Sequence, residues 1–202
     1  MRELIFATHN EHKAIEIQSI LHHSYRVLTL AQAGFAEEIP EEQDTLEGNA
    51  LQKARFVYAR LGMDCFADDT GLEVDALNGE PGVYSARYAE LSGDRMPEEK
   101  ITDANIRKLL RQLEGVADRR ARFRTVIALI IGGKQYSFEG IVEGNIISAR
   151  RGDSGFGYDP VFLPRGYRET FAEMQLQEKN KISHRFRAVS LLADFLKNYS
   201  RE

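Results

Sequence analysis

Residues 66–88 read Phe66-Ala67-Asp68-Asp69-Thr70-Gly71-Leu72-Glu73-Val74-Asp75-Ala76-Leu77-Asn78-Gly79-Glu80-Pro81-Gly82-Val83-Tyr84-Ser85-Ala86-Arg87-Tyr88. The apolar run Cys65-Phe66-Ala67 just before Asp68 predicts a short buried strand, and Gly71 predicts a turn where that strand ends. Asp68 and Asp69 then stand at a strand-to-turn junction. Two adjacent carboxylates beside a core are costly unless something cationic offsets them. A divalent ion is one such partner, because Mg²⁺ is held by one or two carboxylates together with phosphate and water. An acidic surface turn is the other reading of the same pair.

Upstream, Glu3-Leu4-Ile5-Phe6-Ala7 is short and apolar, as a buried strand should be, and Met1-Arg2-Glu3-Leu4 begins that strand rather than a signal sequence. Asn10 is a good N-cap for a helix carrying Ala14, Ile17, Ile20 and Leu21 at helical spacing. Strand, polar turn and helix present backbone N–H groups to an anion. Lys13 sits in the first turn, where a cation is disfavoured unless it serves a ligand or projects into water. Tyr25 to Leu30 is a second expected strand, followed by the carboxylate-dense loop Glu37-Glu38-Ile39-Pro40-Glu41-Glu42-Gln43-Asp44. Asp44 or Thr45 caps the next helix, with Glu47 placed for a capping box, and Gly62 ends it.

Downstream, Asn78-Gly79-Glu80-Pro81-Gly82 marks turns, and Pro97 opens a helix that runs to Gly115. Arg122–Ile131 reads as a strand that turns at Gly132-Gly133 into Gln135–Gly144, an antiparallel hairpin, so the sheet is mixed. In Gly152-Asp153-Ser154-Gly155-Phe156-Gly157-Tyr158-Asp159-Pro160, glycines alternate with aromatics. Phe156 or Tyr158 offers a stacking face for a nucleobase, or both rings tuck into the core. Ser183 caps a last helix with Phe186, Val189, Leu192, Ala193 and Leu196 on one face, and Lys179, His184 and Arg185 gather at its start.

Composition narrows the function classes. With 202 residues and 43% hydrophobic side chains the chain has globular usage, and alternating elements without a composition break suggest one α/β unit. The single cysteine, Cys65, excludes an internal disulfide and a cysteine-built zinc site. No apolar stretch is long enough to span a membrane, so a cytoplasmic protein is expected. Residues 1–100 hold 19 Asp/Glu against 9 Lys/Arg, whereas residues 101–202 hold 12 against 18. That split suits a cleft taking a cation and phosphates, and the net charge of −4 argues against a nucleic-acid partner.

Six motifs carry a family resemblance: Thr8-His9-Asn10-Glu11-His12-Lys13, Asn49-Ala50-Leu51-Gln52-Lys53-Ala54, Ala67-Asp68-Asp69-Thr70-Gly71-Leu72, Pro81-Gly82-Val83-Tyr84-Ser85-Ala86-Arg87-Tyr88, Gly155-Phe156-Gly157-Tyr158-Asp159-Pro160 and Glu178-Lys179-Asn180-Lys181-Ile182-Ser183-His184-Arg185. In order and spacing the chain resembles the inosine/xanthosine triphosphate pyrophosphatases, house-cleaning enzymes that hydrolyse non-standard purine nucleoside triphosphates. The resemblance implies an α/β fold with an elongated mixed β-sheet flanked by helices, two lobes with a central substrate cleft, a single domain over residues 1–202, and a homodimer. It implies a Mg²⁺-dependent cleavage of ITP, dITP or XTP to the monophosphate and pyrophosphate. Asp69 falls on the position of the catalytic base and metal ligand, and Glu41 on the loop residue that completes the metal site. Thr8, His9, Asn10, Glu11, His12 and Lys13 match the triphosphate-binding turn, and Lys53 a further phosphate contact. Thr70 matches a substrate contact, and Phe156, Gly157, Tyr158, Asp159, Lys179, His184 and Arg185 match the base-binding side. His9 stands where many members carry glycine, and Glu41-Glu42-Gln43-Asp44 where many have Glu-Thr-Gly.

Two rival readings share these features. One is a related enzyme acting on modified pyrimidine or methylated nucleotides; the Phe156–Asp159 loop with Ser183-His184-Arg185 favours purines. The other is a non-catalytic nucleotide-binding regulator, which would not need Glu41, Asp68 and Asp69.

Overall fold

The structure, a computed structural model, describes residues 2–10, 13, 14, 17, 18, 21 and 25–199, with the side chain of Arg2 left aside. Met1, Glu11, His12 and Ile20 lie outside the described residues. Among the described residues seven strands form one mixed sheet. β1 (Arg2–Phe6) pairs in parallel with β2 (Tyr25–Leu28) and with β3 (Cys65–Val74). β5 (Arg120–Ile131), β6 (Lys134–Ile146) and β7 (Phe162–Pro164) continue the order as β2-β1-β3-β5-β6-β7, and the two-residue β4 (Pro81–Gly82) lies antiparallel to β3. Gly132 and Gly133, at φ 56° and 73°, supply the two left-handed residues that a tight β5–β6 hairpin needs. The flanking helices are α1 (Leu46–Leu61), α2 (Ile101–Gln112), the short α3 (Leu176–Ile182) and α4 (His184–Tyr199). No helix among the described residues is long and apolar enough to cross a membrane.

Three local expectations are corrected, and one open choice, the cap of α1, is decided. β3 does not end at Asp68; it runs through Asp68-Asp69-Thr70-Gly71 to Val74, because Leu72 and Glu73 find ladder partners in Gly82 and Pro81. The carboxylate pair is therefore mid-strand. Thr45, not Asp44, caps α1: its side chain accepts from the Gly48 N–H at 3.0 Å. α2 starts at Ile101 rather than Pro97, since Glu98 sits at φ 66°, a conformation that a helical first turn does not admit. β2 stops at Leu28, and Leu30 lies in a turn.

The chain divides into two compact units. The first comprises Met1–Asp69, Thr125–Gly140 and His184–Glu202. Its core joins Leu4 and Phe6 of β1, Ile17 and Leu21 of the helical residues after Asn10, Phe66 of β3, Ile127, Leu129 and Ile131 of β5, and Val189, Leu192 and Leu196 of α4. Phe6 and Phe66 stack with centroids 4.6 Å apart. Strand alternation sends Cys65, Ala67 and Asp69 to the other face, toward α1, where the Cys65 thiol donates to the Ala54 carbonyl at 3.2 Å. Burial pushes that thiol up to about 12, so Cys65 is an inert core residue.

In the same unit β6 comes very close to α4. A Cβ added at Gly140 would lie 2.0 Å from the His184 carbonyl oxygen and 2.5 Å from the Ala188 nitrogen. Backbone atoms cannot swing aside, so Gly140→Ala should destabilise by about 1–3 kcal/mol, the usual range for overpacking. Urea denaturation checks this, and an unchanged midpoint would show that the approach is looser.

The second unit comprises Thr70–Arg124 and Ile141–Ser183. Leu72, Ile106, Leu109, Phe123, Val142, Tyr158, Phe162 and Phe171 build its core, in which Phe123 packs on Phe162 at 4.6 Å and on Phe171 at 6.0 Å. The Tyr158 hydroxyl donates to the Ser85 carbonyl at 3.0 Å, and the Asn105 amide donates to the Ser85 and Ala86 carbonyls. These bonds satisfy the irregular 85–89 backbone inside the core.

Candidate active site

Because successive strand residues face opposite ways, Asp68 and Asp69 meet different partners. Asp68, 1% exposed, receives the Lys13 ammonium at 3.0 Å and lies 3.6 Å from Arg185 Nε at the start of α4. Asp69 turns toward α1: its Oδ1 is 3.3 Å from Lys53 Nζ, and its Oδ2 accepts from the Asn49 amide at 3.2 Å. Lys53 also donates to Glu41 at 2.5 Å, so one ammonium bridges Glu41 and Asp69. Asn49, Gln52 and Lys53 occupy one face of α1 at i, i+3 and i+4. Asn49 Oδ1 accepts from the Gln43 N–H at 2.9 Å, and Gln52 from the Glu42 N–H at 3.0 Å. The acidic loop is thereby anchored beside Asp69.

The two aspartates differ electrostatically. Burial alone would raise the Asp68 carboxyl, but Lys13, Arg185 and Lys53 outweigh it and hold it well below the usual carboxylate range. Asp69 goes the other way: burial raises it, Lys53 and Lys13 lower it, Glu41 raises it again, and the net direction is up. For Lys53, the desolvation that lowers it is overcome by Asp69, Asp68 and Glu41, and the ammonium is stabilised.

In the turn after β1, Thr8 Oγ1 accepts from the Asn10 N–H at 3.1 Å and Asn10 Oδ1 from the Lys13 N–H at 3.2 Å, as an N-cap does. The His9 ring reaches the Glu37 carbonyl at 3.1 Å. Among the described residues only Asn78 and Glu98 are non-glycine residues at positive φ, so His9 holds its place in the turn without backbone strain.

In the second unit, Thr70 follows Asp69 along β3, half-buried. Phe156 is 43% exposed, whereas Tyr158 is 3% exposed in the core. Of the two aromatic candidates, Phe156 is therefore the one with an open ring. Gly157, at φ 61°, lets the chain reverse between them. Lys179 belongs to α3, not to the helix that carries His184 and Arg185, and its ammonium pairs with Asp159 at 2.6 Å.

Sequence reasoning missed Asn49, which binds both Asp69 and the acidic loop. Its four-residue spacing from Lys53 in the quoted motif was the available signal. The Asp68–Arg185 pair, 117 positions apart, left no local signal.

Glu41 and Asp69 converge on one cation, and two hard carboxylate donors suit Mg²⁺ when substrate phosphates and water complete its shell. Among the described residues no group of three or more His, Cys, Asp or Glu converges on a metal position.

Fold and site together define a mixed-sheet α/β protein whose inner strand carries two carboxylates into a buried cluster of lysine, arginine and acidic side chains. The profile of the Ham1 family matches residues 4–195, and the chain belongs to that family. It is 54% identical over 197 residues to a dITP/XTP pyrophosphatase from Porphyromonas gingivalis, covering 97% of this chain and 98% of that one. It is 50% identical over 196 residues to a dITP/XTP pyrophosphatase from Flavobacterium psychrophilum, covering 97% and 100%. A solved HAM1 protein from Coxiella burnetii superposes with a TM-score of 0.88 at 35% identity, covering 98% and 100%.

Proposed function

We propose that this protein hydrolyses non-standard purine nucleoside triphosphates (ITP, dITP and XTP) to the nucleoside monophosphate and pyrophosphate, and so keeps these bases out of DNA and RNA. Relatives about half identical over nearly their whole length carry the name dITP/XTP pyrophosphatase. The geometric observation that supports the reading best is the alternation along β3, which gives Asp69 to Lys53 and Asn49 and Asp68 to Lys13 and Arg185. Residues 1–202 act as one pyrophosphatase domain, in the cytoplasm and as a homodimer, as the motifs imply.

The reaction adds a water oxygen to the α-phosphorus, breaks the bond from that phosphorus to the bridging oxygen, and releases pyrophosphate. Asp69 accepts the proton of the water. Its carboxyl is raised by burial, which suits a proton acceptor, and Asn49 holds it in place. Lys13 and Lys53 carry the counter-charge for the phosphate chain. Glu41 and Asp69 would hold Mg²⁺, which when bound supplies charge neutralisation and Lewis acidity at the phosphates. On the base side, the open Phe156 ring gives a stacking surface. Donors on His184 or Arg185 complement the 6-oxo group of hypoxanthine and xanthine and clash with the 6-amino donor of adenine.

Pyrophosphate release over a nucleotide panel, with Mg²⁺ and with EDTA, tests this. ITP, dITP and XTP should turn over well ahead of ATP and GTP, and EDTA should abolish the reaction. Comparable rates on ATP would overturn the substrate assignment.

A further inference from the structure

Asp159 is buried, 3% exposed, at the end of the loop that carries Phe156. Its Oδ2 accepts two hydrogen bonds: from the Phe156 backbone N–H at 2.8 Å and from the Lys179 ammonium at 2.6 Å. The same ammonium, on a side chain itself 94% buried, lies 4.9 Å from the Phe156 ring centroid and 5.6 Å from that of Phe171. The Asp159 N–H also returns to the Phe156 carbonyl at 3.3 Å, closing the turn. Gly155 leaves the room this needs, since a Cβ there would lie 2.2 Å from Asp159 Oδ2. A carboxylate so enclosed has no reason to face solvent, and a neutral side chain would serve if only packing were required.

We propose that Asp159 is a positioning residue: one buried carboxylate oxygen fixes the Phe156 ring and the Lys179 ammonium relative to each other, so that the base-stacking surface is set before the nucleotide arrives. The proposal rests on the reading of Phe156 as the base-stacking ring. The ammonium beneath the ring leaves its exposed side for a purine, and preorganisation spares the nucleotide the cost of ordering the loop.

The test is a double-mutant cycle with Phe156→Ala and Asp159→Asn, read as KM and kcat for ITP with Mg²⁺ and as inhibition by inorganic tripolyphosphate, which has no base. Asp159→Asn should raise KM about tenfold, the scale of one lost stacking contact. It should change kcat less than about threefold and leave tripolyphosphate inhibition unchanged. In the Phe156→Ala background it should add almost nothing, because its effect passes through the ring. A full additional loss in that background, or an equal weakening of tripolyphosphate, would overturn the proposal. If Asp159→Asn does not fold, Gly155→Ala replaces it: both charges stay while the new Cβ displaces the carboxylate, and an unchanged KM there would overturn the proposal too. Wild-type protein that releases no pyrophosphate from ITP would instead defeat the functional reading itself.

Discussion

Asp69→Asn should lower kcat for ITP by about a thousandfold or more, within the upper part of the range for losing a general base. KM should stay within roughly threefold, because Lys13 and Lys53, which carry the phosphate charge in this reading, remain. The fold should survive as well. Burial raises the Asp69 carboxyl, so its ionised form is held at a cost in the folded state, and a neutral amide removes that cost. Lys53 keeps Glu41 as an acceptor, and Asn49 keeps the Gln43 N–H that donates to its Oδ1. Thermal melting at neutral pH should therefore place the variant at or above wild type, and steady-state kinetics should show the loss confined to kcat. Near-normal turnover would remove Asp69 from the chemistry.

Asp68→Asn should do the reverse and damage stability first. Lys13 at 3.0 Å and Arg185 at 3.6 Å would be left buried against a neutral amide. Breaking one side of a buried pair costs about 3–5 kcal/mol. At this chain length that corresponds to a melting temperature lower by roughly 10 °C. The pH dependence follows from the sign of the shift. The folded Asp68 carboxyl is lowered, so its contribution is complete above the ordinary value of 3.8 and is lost as pH falls from there toward the folded value. Wild type should therefore lose stability below about pH 4 more steeply than Asp68→Asn. Equal melting temperatures for the two proteins at neutral pH would show that Lys13 and Arg185 do not depend on this carboxylate.

That neighbouring aspartates should fail in opposite ways could not be read from their adjacency. The residues 66–88 marked the pair, yet Gly71 suggested a turn, and a turn leaves side-chain directions open. Only the ladder from Leu72 and Glu73 to Gly82 and Pro81 makes the segment a strand, and only a strand imposes alternation. Asn10, Thr45 and Gly62 were legible as helix ends because capping is local chemistry; the αL residue Gly62, for instance, returns its N–H to the Tyr58 carbonyl. Pro97 misled for the same reason: its local preference is real, but Glu98 at φ 66° defers the helix to Ile101.

By itself the sequence determined the order of the longer elements, the mixed sheet with its Gly132-Gly133 hairpin and, through six ordered motifs, the family. Each of these depends on neighbours along the chain or on residue types at set spacing. The tertiary structure alone decided that Asp68 belongs to Lys13 and Arg185 while Asp69 belongs to Lys53 and Asn49, that Phe156 is open and Tyr158 is core, and that Lys179 serves Asp159. Those facts are side-chain contacts across 16 to 117 positions for the paired groups and burial for the rings, and in both cases they depend on which faces the sheet and helices bring together.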